Sequence, residues 1–177
     1  MILDRDGVIN HDSPDYILSA AAWIPIPGSL EAMAQLHQQG VPVTVASNQS
    51  AVGRGYISGD QFAAIRARME QMVAQHGGKL TMQAYCFHRP DQGCGCRKPK
   101  PGLLQQILTE LNCAPQHAIM IGDSPRDMEA ALAIGVRPIL VASGYHDFHQ
   151  VKQQVHALDP TIPHYADLAA ATNALLP

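Results

Sequence analysis

The sequence lacks a long hydrophobic run, a run of positive charge and any repeated or low-complexity segment. No apolar stretch approaches the about 20 residues that span a bilayer, so we expect no membrane insertion. Lysine and arginine number 12 against 15 aspartates and glutamates, and the formal net charge of −3 argues against electrostatic capture of nucleic acid or an anionic membrane. No basic and apolar leader precedes the first predicted strand, which predicts a cytoplasmic rather than a secreted protein.

The remaining composition is that of one globular domain. The 177 residues are 46% hydrophobic, enough to bury a substantial core. After a short apolar start before Asp4, strands are predicted at 41–46, 84–87, 118–121, 137–141 and 162–165. Helices are predicted at 29–39 with Ser29 as N-cap, and at 58–76, 102–111, 128–134, 149–155 and 166–176. This alternation is typical of βαβ units and predicts a single α/β domain over residues 1–177 with a doubly wound parallel sheet.

Two aspartates follow the short apolar start. Asp4 and Asp6 are two residues apart, so in an extended chain their side chains would point to the same side. Two neighbouring carboxylates repel each other, so either a cation lies between them and both stay ionised, or the pKa of one rises. The pattern therefore indicates a nucleophile and an acid/base at a divalent metal. The alternative interpretation is a polar turn with two solvated aspartates.

Polar residues also end other predicted strands. Ser47 and Asp123 each follow a strand, and Lys98 lies on a loop between strands. Because the carboxyl ends of parallel strands meet at one edge of a sheet, we expect these side chains to approach the two aspartates. Carboxylates, a hydroxyl and an ammonium suit a phosphate and one Mg²⁺ ion. Asp127 would either bind the metal or hold Lys98.

A cysteine-rich loop, residues 86–97, is inserted after a predicted strand. Its donors are Cys86, His88, Cys94 and Cys96. Four such ligands fill a tetrahedral shell, so the spacing predicts a structural zinc site. Disulfides are the alternative, but cysteines separated by one residue bridge badly and the cytosol is reducing. A zinc ion here would hold the loop and direct the adjacent Arg97 and Lys98 at the site. Cys113 is predicted to be a small buried apolar residue.

Taken together, these segments resemble the phosphatases of the haloacid-dehalogenase (HAD) superfamily. The matching motifs, in chain order, are Asp4-Arg-Asp-Gly7, Ser47-Asn-Gln49, Lys98 and Gly122-Asp-Ser-Pro-Arg-Asp127. The cysteine loop running into residues 97–102 resembles a zinc-loop branch that contains two activities. One removes the 7-phosphate of a heptose 1,7-bisphosphate, and the other hydrolyses histidinol phosphate. Residues 23–28 and 47–55 are more similar to the first, which provides heptose for lipopolysaccharide precursors.

The resemblance implies a HAD-like sheet without a large cap domain and a two-step hydrolysis. Asp4 would attack phosphorus to form an aspartyl-phosphate, and Asp6 would protonate the leaving oxygen and then activate water. Ser47 and Lys98 would stabilise the phosphoryl oxygens. Mg²⁺ would be held by Asp4, Asp6 and Asp123. The implied substrate-binding residues are Ser47, Asn48, Gln49, Ser50, Arg97, Lys98 and Ser124.

Three functional hypotheses follow. The first is a sugar bisphosphate phosphatase and the second is a histidinol-phosphate phosphatase. The third is a catalytically inactive, zinc-stabilised binding module. That third hypothesis predicts loss of Asp4, Asp6, Lys98 or Asp123, and all four are present. The expected partner is a small sugar phosphate, and the expected oligomeric state is a monomer.

Overall fold

The computed structural model describes residues 1–176. In this range six parallel strands form one sheet in the order β3-β2-β1-β4-β5-β6. The strands are β1 (Ile2–Leu3), β2 (Val43–Asn48), β3 (Leu80–Cys86), β4 (Ile119–Gly122), β5 (Arg137–Val141) and β6 (His164–Tyr165). The predicted doubly wound α/β class is confirmed. Pro177, the last residue of the predicted domain, lies outside the described residues.

Helices connect the strands and cover both faces of the sheet. The helices are α1 (Ser29–Gln38), α2 (Ser50–Gly53), α3 (Gly59–Gln75), α4 (Gly102–Glu110), α5 (Pro125–Leu132), α6 (Phe148–Leu158) and α7 (Leu168–Leu175). Short 3-10 helices lie at Pro90–Gln92 and Pro115–His117. Within residues 1–176, the excursion between β3 and α4 is a loop rather than a cap domain. None of the helices in this described range is both long and apolar enough to cross a membrane.

Two main hydrophobic cores flank the sheet. One contains buried residues of α1, α3 and α7, and the other contains buried residues of α4 and α5, while a third, smaller cluster packs α6 against β5. Successive strand residues point to opposite faces, so Ile2 enters one core and Leu3 the other, as Met120 and Ile121 do in β4. Burial on both faces explains why the central strands are apolar without alternation.

The chain turns sharply after β1, and this turn places the first two aspartates. The Asp4 backbone N–H continues the sheet ladder by donating to the Ile121 carbonyl at 2.9 Å. Gly7 then adopts a positive φ of 80°. A Cβ atom at Gly7 would collide with the Asp123 carboxylate, so glycine is required here by both conformation and space.

Several boundaries differ from those predicted. Ser29 is not the N-cap of α1, because Gly28 occupies that position and the Ser29 hydroxyl donates instead to the Ile9 carbonyl at 2.7 Å. Strand β3 begins at Leu80 rather than at 84. Its first four residues alternate apolar and polar side chains on a partly exposed edge strand, so they do not form the apolar run expected of a buried strand. Helix α5 begins at Pro125 rather than at 128. Pro125 is in the first turn of the helix, where its missing N–H costs no hydrogen bond. Cys113 is only partly buried, against the core of α4 and α5.

Candidate active site

The predicted site residues come together at the carboxyl edge of the sheet. Asp4 and Asp6 follow β1, Ser47 is the next-to-last residue of β2, and Asp123 follows β4. They line a cavity of about 410 Å³. The same cavity is lined by the other residues that the resemblance implied: Asn48, Gln49, Ser50, Arg97, Lys98 and Ser124.

Lys98 lies at the base of the cavity between two carboxylates. Its Nζ is 2.9 Å from Asp4 Oδ2 and 2.5 Å from Asp127 Oδ1, and it donates to the Ala46 carbonyl at 2.7 Å. Burial opposes the charged form of Lys98, but Asp127 and Asp4 outweigh it and raise the pKa of the ammonium. Burial likewise works against ionisation of Asp4, yet Lys98 outweighs it and lowers the pKa of this carboxyl. The pair is therefore an ammonium beside a carboxylate.

Asp127 holds Lys98, which is one of the two roles considered for it. Its carboxylate also accepts hydrogen bonds from the Ser124 hydroxyl at 2.6 Å and the Ser124 backbone N–H at 3.1 Å. It is fully buried, and this burial raises its pKa while Lys98 acts in the opposite direction. A Cβ atom at Gly122 would collide with Asp127, so the glycine that ends β4 makes room for the carboxylate.

Asp6 is surrounded by hydrogen-bond donors. Arg5 donates from Nε to Oδ1 at 3.0 Å and from Nη2 to Oδ2 at 2.9 Å. The Asn10 side chain donates to Oδ1 at 2.8 Å, and the Gln49 side chain donates to Oδ2 at 2.7 Å. Neither Arg5 nor Asn10 was predicted as a site residue. Arg5 lies within the first motif and Asn10 lies three residues after its end, and this proximity is the signal that could have drawn attention to them.

The acidic residues of the cavity fit a divalent cation. Carboxylate oxygens of Asp4, Asp123 and Asp127 lie within 4.8 Å of one another. Burial, followed by repulsion from Asp127, Asp4 and Asp12, raises the pKa of Asp123 well above its usual value, and Lys98 only partly opposes this. Buried carboxylates with excess negative charge are the hard oxygen ligands that Mg²⁺ prefers.

Two loops form the mouth of the cavity. Residues 12–17 cover one side, and Tyr145 with His146 covers the other. Burial and the Asp6 carboxylate raise the pKa of Asp12, which therefore belongs to the same acidic environment. Arg54 and Arg126 also line the cavity and add positive charge to its rim. His11, which immediately precedes the first of these loops, is exposed to solvent.

The cysteine-rich loop brings its four donor atoms into one cluster. The Sγ of Cys86 is 3.7 Å from that of Cys94, 3.3 Å from that of Cys96 and 3.6 Å from His88 Nδ1. These distances are far longer than the about 2.05 Å of a disulfide. They are close to the roughly 3.8 Å edge of a tetrahedron built on Zn–S bonds of about 2.3 Å. Burial raises the pKa of Cys86 to about 12, so this sulfur would need a cation to remain a thiolate.

The end of this loop is fastened to β2. The Asn48 side chain donates to the Lys98 carbonyl at 3.0 Å and accepts from the Lys98 backbone N–H at 3.1 Å. The Gln49 N–H donates to the Cys86 carbonyl at 2.7 Å. Thus the loop, rather than a strand of its own, places Lys98 beside Asp4.

An aspartate after the central strand, a second aspartate two residues later and a buried lysine, all at the carboxyl edge of such a sheet, are the arrangement expected of a HAD-like hydrolase. The sequence profile of the HAD-hydrolase-like family matches residues 95–168. A D-glycero-β-D-manno-heptose-1,7-bisphosphate 7-phosphatase of Pseudomonas aeruginosa is 45% identical, over 99% of this chain and 97% of that protein. One of Pseudomonas putida is 49% identical, over 81% and 82%.

A solved structure gives the same result. The D,D-heptose 1,7-bisphosphate phosphatase of Bordetella bronchiseptica, complexed with magnesium and phosphate, superposes with a TM-score of 0.93 at 39% identity. The match covers 99% of this chain and 97% of that one. The chain belongs to the D-glycero-β-D-manno-heptose-1,7-bisphosphate 7-phosphatase family.

Proposed function

We propose that this protein removes the 7-phosphate of D-glycero-D-manno-heptose 1,7-bisphosphate, with Asp4 as the nucleophile. The observation that carries the proposal is the pairing of Asp4 with the buried Lys98 in a cavity whose residues converge from separate strands. The near full-length similarity to named phosphatases of this substrate supports the choice of sugar. The product would enter the synthesis of nucleotide-activated heptose and lipopolysaccharide core precursors.

In the first step, Asp4 attacks the phosphorus. A bond forms between its carboxylate oxygen and phosphorus while the bond from phosphorus to the sugar oxygen breaks, and Asp6 gives its proton to that oxygen. The Arg5 backbone N–H, 2.7 Å from Asp4 Oδ1, and Lys98, 2.9 Å from Oδ2, orient the nucleophile. Lys98 and the Ser47 hydroxyl stabilise the charge on the phosphoryl oxygens.

In the second step, water cleaves the aspartyl-phosphate. Asp6 takes a proton from the water, whose oxygen attacks phosphorus, and Asp4 leaves as a carboxylate together with inorganic phosphate. Asp6 therefore ends in the protonated form that began the first step, a form that it reaches only when one of the four hydrogen bonds it accepts as a carboxylate is given up. Its position beside the nucleophile allows one group to serve both steps.

Mg²⁺ and Zn²⁺ have separate places in this proposal. Asp4, Asp123 and the backbone carbonyl of Asp6 would hold Mg²⁺, which when bound neutralises negative charge on the phosphoryl group. Asp127 is engaged with Lys98 and Ser124. Zn²⁺ would be held by the four donors of the 86–97 loop and would have a structural role, because four protein ligands leave no open position. Oxygen and thiolate ligand sets select different metals.

The charge of the cavity rim favours a bisphosphate over histidinol phosphate. Arg54, Arg97 and Arg126 all line the cavity in addition to Lys98. A second phosphate on the sugar would be attracted by these guanidinium groups. Histidinol phosphate instead carries a primary ammonium group, which the same arginines would repel. A catalytically inactive binding module is not favoured, since the nucleophile, acid/base, lysine and third carboxylate converge on one cavity.

The test is phosphate release from heptose 1,7-bisphosphate and from histidinol phosphate in the presence of Mg²⁺. We expect the wild type to turn over the heptose strongly and Asp4→Asn to release no phosphate. Arg66→Lys, at an exposed position, is the control variant and should behave like the wild type. Preference for histidinol phosphate would keep the chemistry but refute the substrate. Release from neither, with the fold intact, would refute the proposal. We further propose that the enzyme is cytoplasmic, because its substrate is a metabolite of that compartment. We also propose that it is a monomer, which sedimentation equilibrium tests.

A further inference from the structure

We propose that Arg5 is a positioning residue that fixes the acid/base Asp6, and that Gln49 is the partner which the substrate displaces from it. This inference rests on the proposed function, since it concerns the proton transfer of the same site. It gives Arg5 a role in the chemistry without contact to substrate. It also gives Gln49 a specific role, because its hydrogen bond to Asp6 is replaced by one from the leaving oxygen or the water.

The first support is the geometry of the ion pair. Arg5 is buried, with 1% of its surface exposed, and its Nε and Nη2 bond the two different oxygens of Asp6 at 3.0 and 2.9 Å. A planar guanidinium that bonds both oxygens sets the plane of the carboxylate as well as its location. A lysine could supply the charge but not this orientation.

The second support is that Arg5 is itself held in place. Its guanidinium carbon lies 5.9 Å from the centre of the Phe62 ring. Phe62 is buried, and its ring packs edge-on against Tyr85 at 4.9 Å and Phe87 at 5.0 Å between ring centres. A cation against an aromatic face in a desolvated place gains additional attraction. The guanidinium is therefore fixed between an aromatic wall and the acid/base.

The third support is the number of hydrogen bonds to Asp6. A carboxylate has about four acceptor positions, and Asp6 receives four hydrogen bonds, from Arg5 twice, from Asn10 and from Gln49. A leaving oxygen or a water can approach Asp6 only if one of these bonds is given up. Asn10 is fully buried, whereas Gln49 lines the cavity and its Nε2 also donates to Ser47 Oγ at 3.1 Å, so it keeps one partner when its bond to Asp6 is broken.

Leaving-group dependence separates this role from a structural one. General-acid assistance matters greatly for an alkoxide leaving group and little for p-nitrophenolate. We would measure kcat/KM for p-nitrophenyl phosphate, phenyl phosphate and heptose 1,7-bisphosphate with the wild type, Arg5→Lys, Arg5→Met and Gln49→Ala. Arg66→Lys, in an exposed ion pair, is the matched control. For each variant the rates on all esters come from one preparation. The ratio of kcat/KM for the heptose to kcat/KM for p-nitrophenyl phosphate therefore does not depend on the fraction of folded protein.

We expect Arg5→Met to lose about 100-fold on the heptose and at most about 3-fold on p-nitrophenyl phosphate, with Arg5→Lys losing about 10-fold on the heptose. Gln49→Ala should change the ratio by less than about 3-fold, because its bond to Asp6 is already broken in the transition state. Equal losses on all esters, or none, in the Arg5 variants would overturn the inference. A large change in the ratio of kcat/KM between the heptose and p-nitrophenyl phosphate in Gln49→Ala would overturn the inference that the substrate displaces Gln49 from Asp6. An inactive wild type on every ester would instead refute the proposed function.

Discussion

Lys98 lies between Asp4 and Asp127, and replacing one of these carboxylates tests how the site is stabilised. Removing one partner of a buried ion pair costs about 3–5 kcal/mol. In Asp127→Asn, Lys98 keeps Asp4 at 2.9 Å, and Asp123 loses a neighbour that repels it. We therefore expect the lower end of the range, a loss of about 3 kcal/mol in the free energy of unfolding. In a domain of this size, that corresponds to a Tm lower by roughly 6–12 °C.

The measurement is urea unfolding followed by the fluorescence of Trp23, which is buried and is the single tryptophan of the chain. The matched control is Glu70→Gln, which removes the charge from an exposed ion pair with Arg66 at 3.2 Å. Exposed pairs contribute about 0–1 kcal/mol, so the control should remain close to the wild type. If Asp127→Asn were as stable as this control, the buried pair would not hold Lys98 as we argue.

Three further predictions concern the loop and the metal sites. Asn48→Ala removes both hydrogen bonds to the Lys98 backbone, so we expect kcat to fall about 10- to 100-fold with the zinc content unchanged; unaltered turnover would contradict this. Burial and neighbouring carboxylates raise the pKa of Asp123, so the metal-free protein should lose stability as pH rises from about 4 through that raised pKa, because the folded state then holds the proton that the unfolded state has released. Added Mg²⁺ should accordingly raise Tm more at about pH 8 than at about pH 5, and an equal rise would contradict the assignment. Removing zinc with a chelator should lower activity while far-ultraviolet circular dichroism retains the helices, and full activity after verified zinc loss would contradict a role for the loop in placing Lys98.

The predictable part of the site follows from topology. Asp4, Ser47 and Asp123 could be grouped from sequence because each ends an apolar segment, and parallel strands bring such ends to one edge. The Cys86–Cys96 cluster was equally accessible, because four donors within eleven residues must lie close together. These inferences need only strand order and short spacing, and neither depends on exact backbone angles.

The rest of the site depends on geometry that sequence patterns do not carry. Three of the four hydrogen bonds to Asp6 arise from a tight turn in which Arg5 and Asn10 fold back on one carboxylate, and the fourth comes from Gln49 after β2. The mouth of the cavity is formed by irregular loops at 12–17 and 143–147, which have no periodicity to read. Ser29 failed as a cap for a related reason, because a nearby buried carbonyl competed for its hydroxyl.

Strand β1 contains only Ile2 and Leu3, yet it lies at the centre of the sheet between β2 and β4. Asp4, the proposed nucleophile, follows directly and shares the same ladder of hydrogen bonds through its own backbone N–H. Any partially unfolded form that loses the middle of the sheet therefore loses Asp4 as well, whereas fraying of the edge strand β6 leaves it in place. Catalytic activity of this protein thus serves as a direct reporter of whether its central sheet is folded.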